Sequence, residues 1–184
     1  MTKRKFLDYL KQQELQDILE PPKYFTKDEA RETIQIKQLS KESLSQKTGP
    51  DQRTYTYKCS GATYEGSWLG GMRHGQGTMN WVDGASYTGS WHCNQTSSFG
   101  KFTYPNGDLY EGNWASNLMS GIGEYHHANG TVYKGRWLQG RMHGKGEESW
   151  SVGARYLGDF SEGMKQGLGR YYWADQSYFS GQWR

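Results

Sequence analysis

Tyr64-Glu65-Gly66-Ser67-Trp68 decides the reading of this chain, because it returns. The Tyr-x-Gly-x-Trp frame stands again at Tyr87, Gly89 and Trp91, at Tyr110, Gly112 and Trp114, and at Tyr133, Gly135 and Trp137. Two variants follow, first Tyr156, Gly158 and Phe160, then Phe179, Gly181 and Trp183. Every step is 23 residues, with no insertion. A Gly-x-Gly pair keeps the same period at Gly75/Gly77, Gly121/Gly123, Gly144/Gly146 and Gly167/Gly169, and is reduced to Ser98-Phe99-Gly100 in the second copy. A further glycine marks a turn at Gly84, Gly107, Gly130 and Gly153. A fixed period of this length is the signature of a repeat architecture.

The residue types set the local geometry. Alternation with period two puts Tyr, Gly and Trp on one face of a strand. Two strands per repeat are expected, about 64–68 and 76–81 in the first, with a loop between them. Asp83-Gly84 reads as a type I′ hairpin turn, with both central residues at positive φ. Antiparallel pairing would set Gly66 near Gly77 and Trp68 near Gly75, with the indole lying flat over bare backbone. The expected fold is mainly β: an elongated, twisted, open-ended antiparallel β-hairpin meander growing about 10 Å per repeat. Each repeat buries its rings only against its neighbours.

Composition supports this reading and narrows the function. The chain has 184 residues, 25 glycines and 8 tryptophans, and every tryptophan follows Pro50. Disordered segments are poor in aromatics, so the glycines do not signal disorder. The net charge of +3, from 22 basic and 19 acidic residues, lacks the clustered excess of a nucleic-acid binder. No apolar run approaches the ~18 residues of a spanning helix. The opening Met1-Thr-Lys-Arg-Lys-Phe-Leu has no apolar core of a secretory signal. Cys59 and Cys93, with no CxxC neighbour, read as reduced, buried, small apolar side chains. A cytoplasmic setting is the corresponding expectation.

The segments Tyr64-Glu-Gly-Ser-Trp68, Gly71-Met-Arg-His74-Gly75-Gln-Gly77 and Asp83-Gly84-Ala-Ser-Tyr87 resemble a MORN (membrane occupation and recognition nexus) repeat. The full pattern recurs from Tyr133 to Gly146, and the likeness covers residues 55–184. The resemblance implies a hairpin meander used as a scaffold or a membrane-associating module. In that family such arrays stand alone in cytoskeletal and ciliary assemblies, or are joined to catalytic domains such as lipid kinases and SET-type methyltransferases. The second copy departs from the pattern at Cys93, Asn94, Ser97 and Ser98, and the third at Asn117 and Ser120. A local bend is expected near 92–100 or 115–120.

Residues 1–50 differ in kind and read as a helical extension, with the repeat domain over 51–184. Leu7, Leu10, Leu15 and Ile18 approximate one helical face that ends before Pro21-Pro22. Thr26-Lys-Asp-Glu29 reads as a capping box opening a second helix toward Gln46. Tyr55-Thr-Tyr57-Lys-Cys59 then begins the sheet, with Gly61 in the turn. The extension either caps the sheet end or acts as a docking arm for a partner.

No constellation suggests catalysis or a cofactor, so the expectation is a non-enzyme. His74 and His143 share a slot three repeats apart and read as loop residues bonding backbone. His126 and His127 point to opposite strand faces, whereas zinc wants four converging ligands. The carboxylates do not converge as an acid/base pair must. Two surfaces remain. The series Trp81, Tyr104, Trp150 and Trp173, near the turns, is a candidate rim for gripping a helix. Lys134, Arg136, Arg141 and Lys145 form a candidate patch for anionic headgroups. Ser177 to Trp183 reads as a final strand with unpaired edge groups, so a second copy or a partner sheet is expected to cover it. The expected function is a protein-binding scaffold in a cytoskeletal or ciliary assembly; a peripheral phospholipid adaptor and a regulatory subunit tethering an enzyme are the alternatives.

Overall fold

A computed structural model describes residues 24–32 and 51–184. The helix expected over residues 7–18 and the continuation toward Gln46 lie outside the described residues. Residues 27–32 form a short helix, α1. Twelve strands follow: β1 Asp51–Thr56, β2 Thr63–Leu69, β3 Met72–Asn80, β4 Ser86–His92, β5 Gln95–Thr103 and β6 Leu109–Ala115, then β7 Leu118–His126, β8 Val132–Leu138, β9 Arg141–Ser149, β10 Arg155–Ser161, β11 Met164–Tyr172 and β12 Tyr178–Trp183. They form one antiparallel sheet in strict sequence order, β1 to β12. This is the open meander that the period implies.

Two kinds of turn alternate. The short one lies inside the hairpin and has two left-handed residues, such as Cys93 and Asn94 (φ 48° and 70°) or Ser116 and Asn117 (φ 50° and 69°). The return strand therefore begins at Met72 rather than near residue 76. The other turn is the Asp83-Gly84 site, and here the expectation fails. Only Gly84 has positive φ (93°). The Gly84 amide donates to the Trp81 carbonyl, and the Trp81 amide donates to the Ala85 carbonyl. This is a type I turn closed by a left-handed residue, a three-residue hairpin loop. Asp83 accepts from the Ala85 amide through Oδ1, which fixes the turn without needing positive φ at Asp83 itself.

The pairing Gly66↔Gly77 is present, but Trp68 faces Arg73, not Gly75. A register shift between Gly66 and Trp68 advances the return strand, and Gly75 instead faces Trp91 of the next hairpin. The same shift recurs within every hairpin. In the second hairpin Ser98 takes the left-handed conformation (φ 54°) that Gly75 and Gly121 take elsewhere. The register shift is thus common to all five hairpins and is not confined to the degenerate copies.

The ring lying over bare backbone is tyrosine, not tryptophan. A Cβ at Gly77 would overlap the Tyr64 hydroxyl and stand 2.6 Å from its Cε2. That approach is why glycine is needed there. The Tyr64 hydroxyl donates to the Ser67 carbonyl at 3.0 Å, and Tyr87, Tyr110, Tyr133 and Tyr156 repeat the bond. Burial pushes the phenols of Tyr64, Tyr87, Tyr110 and Tyr133 upward in pKa, so these hydroxyls remain donors. The indoles reach back instead: Trp91, Trp114 and Trp137 donate to the carbonyls of Gly77, Gly100 and Gly123. Each tyrosine stands edge-on between two rings of the Trp/Phe file, as Tyr87 does with Trp91 at 5.1 Å and Trp114 at 5.2 Å, with Phe160 taking one of the two places beside Tyr133 and Tyr156. Such pairs add roughly 0.5–1.5 kcal/mol each beyond burial. The core is this continuous ladder of rings along one face.

Candidate protein-docking face

The aromatic face carries a second layer built from residues 24–32. Phe25 sits among Trp81, Tyr87, Trp91, Phe102 and Trp114, with ring centroids 5.3–6.0 Å away, all edge-on. Tyr24 packs on Trp81 and Phe102, both at 5.2 Å. Thr26 caps α1 by accepting from the Glu29 amide at 3.4 Å. The capping box is only half made, because the Glu29 carboxylate turns away into the sheet. It lies 3.6 Å from the Arg73 guanidinium, with both side chains 1% exposed, and accepts from Ser60 Oγ at 2.9 Å. Burial raises the Glu29 pKa against the opposing pull of Ser60 and Arg73. Glu32 shows the opposite balance. Burial alone would raise it, but donors at Lys58, Cys59 and Tyr55 hold it at about 2. Burial and the Glu32 carboxylate together push the Tyr55 phenol up to about 12.

The rim residues hold equivalent places. Trp81, Tyr104, Trp150 and Trp173 each follow a return strand and open the three-residue turn. Trp81 is buried under Tyr24 and Phe25, while Tyr104, Trp150 and Trp173 are half-buried. Tyr104 stacks on Phe102 at 4.5 Å, and Trp150 and Trp173 both meet Tyr171. A fifth member of this file, third in chain order, is His127, 4.6 Å from Tyr125 and 3.7 Å from Asp108. Sequence reasoning missed Phe25 and Arg73. Phe25 directly precedes the Thr26 cap, where a large apolar residue commonly staples a helix start to its surroundings, so that signal was available.

The cationic patch has a different character on the opposite face. Lys134 pairs with Glu124 at 3.0 Å, Lys145 with Asp159 at 2.7 Å, and Arg141 with Glu162. Lys134 and Lys145 also line a groove of about 690 Å³ with Glu147, Leu157 and Arg170. Three of the four cations thus already face carboxylates.

Three readings of the polar residues are corrected. Cys59 and Cys93 are exposed, not buried, because both sit in turns. His74 and His143 lie in strands β3 and β9 rather than in loops, since the short turns let the return strands start early. Their Nδ1 atoms are buried and make no hydrogen bond. No described helix is long and apolar enough to cross a membrane.

An open β-hairpin meander with a ring-covered glycine ladder along one face defines a class of repeat fold. The MORN-repeat family model matches residues 64–86, 87–109, 110–132, 133–155 and 156–178, and the chain belongs to that family. Its repeats are generally non-catalytic scaffolds that bind proteins or membranes. No curated relative matches the chain. Among solved structures it is similar to the SAS-4 (dCPAP) TCP domain of Drosophila melanogaster, solved with a proline-rich motif of Ana2 (dSTIL). The likeness has a TM-score of 0.43 and 14% identity, covering 74% of this chain and 81% of that one.

Proposed function

We propose that this protein is a non-catalytic scaffold whose aromatic face binds a helical segment of a protein partner. The observation that carries the reading is Phe25, seated among five rings of the sheet by a segment that continues into a helix. It displays the chemistry this face accepts: an aromatic anchor, a helix start and a carboxylate that meets Arg73. Aromatic anchors in desolvated pockets dominate binding energies. The partner site extends along the same file of rings to Tyr104, Trp150 and Trp173. In this reading residues 24–32 cover one part of the aromatic face from within the chain, and the partner takes the rings beyond them. A cytoplasmic cytoskeletal or ciliary setting belongs to the proposal through the family resemblance alone. The lipid reading is weaker, because Lys134, Arg141 and Lys145 are matched by carboxylates.

The test is capture of partners by mild cross-linking of the full-length chain, repeated with two double variants. Trp150→Ala/Trp173→Ala should lose the specific protein partner, and Lys134→Glu/Arg136→Glu should keep it. Salt-sensitive liposome binding abolished by the second variant, with protein capture unaffected by the first, would reverse the assignment.

A further inference from the structure

His74, His92 and Cys93 present ligand atoms that all lie within 4.8 Å of one another. They are 18 and 19 positions apart in pairs from His74, and only the repeat geometry brings them together. His74 stands on β3, His92 ends β4, and Cys93 opens the turn into β5. The two imidazole centroids are 5.0 Å apart.

The turn is clamped against β3 rather than loosely placed. The Asn94 amide donates to the Arg73 carbonyl at 3.0 Å. The Arg73 amide donates to Asn94 Oδ1 at 2.9 Å, and its guanidinium donates to the Asn94 carbonyl at 3.0 Å. Arg73 and Asn94 are both buried, 1% and 6% exposed. The residues flanking the cluster are therefore fixed, while His92 and Cys93 are exposed and free to adjust.

The other repeats act as internal controls. The same three slots hold Ser97, Ala115 and Ser116 in one repeat and Ser120, Leu138 and Gln139 in the next. The third holds His143, Ser161 and Glu162, and Glu162 is engaged by Arg141. His143 shares the unpartnered Nδ1 of His74, so that feature belongs to the slot. What singles out the first site is a second imidazole and a thiol beside it.

We propose that His74, His92 and Cys93 bind a zinc ion. Two imidazoles and a thiolate match the borderline softness of Zn²⁺, whose sites are tetrahedral. Zn–N near 2.0–2.1 Å and Zn–S near 2.3 Å place ligand atoms about 3.3–3.8 Å apart. Closing from the observed spacing takes roughly 1 Å, which rotation of the exposed His92 and Cys93 side chains supplies. Three protein ligands leave the fourth position to water or to a group from a bound protein. Binding deprotonates the Cys93 thiol and releases that proton to solvent.

The test uses Co²⁺ as a spectroscopic stand-in, then Zn²⁺ alone, with the reduced full-length chain. One equivalent of Co²⁺ should give a thiolate-to-cobalt charge-transfer band with tetrahedral ligand-field bands, and Zn²⁺ should displace it. Cys93→Ser should abolish the charge-transfer band. His74→Gln and His92→Gln should each weaken binding at least about tenfold, the scale on which even outer-sphere partners act. His143→Gln and Cys59→Ser should leave it unchanged. His92 and Cys93 are exposed, so their variants retain the fold, which near-ultraviolet circular dichroism checks. No charge-transfer band at one equivalent, or binding that survives Cys93→Ser, overturns the proposal.

Discussion

Glu29 and Arg73 form an ion pair between α1 and β3, 3.6 Å apart, with each side chain 1% exposed. A buried pair is costly to desolvate, and removing one partner strands the other. Arg73→Met should therefore destabilise the chain by about 3–5 kcal/mol, with the loss centred on residues 24–32. Glu29→Leu/Arg73→Met should recover most of it, because apolar side chains need no counter-charge. Denaturant unfolding followed by tryptophan fluorescence measures both.

The two glutamates of α1 respond to pH in opposite senses. Glu32 is lowered from 4.5 to about 2, so its contribution is complete above 4.5 and lost as pH falls toward 2. Glu29 is raised from 4.5, so its contribution is complete below 4.5 and lost as pH rises through its folded-state value. Docking of residues 24–32 should weaken on both flanks. In a fluorescence pH titration, Glu32→Gln should remove the acid-side dependence and Glu29→Gln the dependence on rising pH.

Ring-covered glycines and turn glycines should respond differently to alanine. At Gly123 a Cβ would overlap the Tyr110 hydroxyl and stand 2.6 Å from Cζ. Gly123→Ala should cost about 3 kcal/mol, the upper end of overpacking, and perturb the near-ultraviolet signal. At Gly107 the nearest atom is 3.5 Å away and φ is 91°. Gly107→Ala should cost about 1–2 kcal/mol of backbone strain and leave ring packing intact.

Glu148 occupies the slot that Met79, Phe102, Tyr125 and Tyr171 fill in the other repeats. It is held by Lys165 at 2.6 Å, a lysine 3% exposed. Glu148→Tyr/Lys165→Met should be neutral or more stable than the natural pair, whereas Lys165→Met alone should cost about 3–5 kcal/mol. A melting series of the three proteins decides this.

Much of the fold was legible because Tyr64, Gly66 and Trp68 recur without insertion, and period two assigns them a face. Their exact partners were not. The register shift after Gly66 depends on three-dimensional pairing, so Trp68 meets Arg73 rather than Gly75. The type I′ signal pointed to Asp83-Gly84, whereas the doubly left-handed turns occur at positions such as Cys93-Asn94. Asparagine tolerates that conformation, and cysteine gives no such cue. The rim residues could be named from their common slot. Phe25 could not be assigned to it from spacing, because its contacts cross more than fifty residues. The grouping of His74 with His92 and Cys93 was hidden for a similar reason: it depends on how the β4–β5 turn is fastened to β3.

In the proposed function the aromatic face, not the charged one, receives the partner. A photo-reactive amino acid placed at Trp150 in one sample and at Leu157 in another, each in the full-length chain, tests it directly. Illumination in cells and peptide mapping should give cross-links from position 150 to an aromatic-bearing helical segment of a protein, and none from position 157. Cross-links formed only from position 157, or to phospholipid from either position, would contradict it.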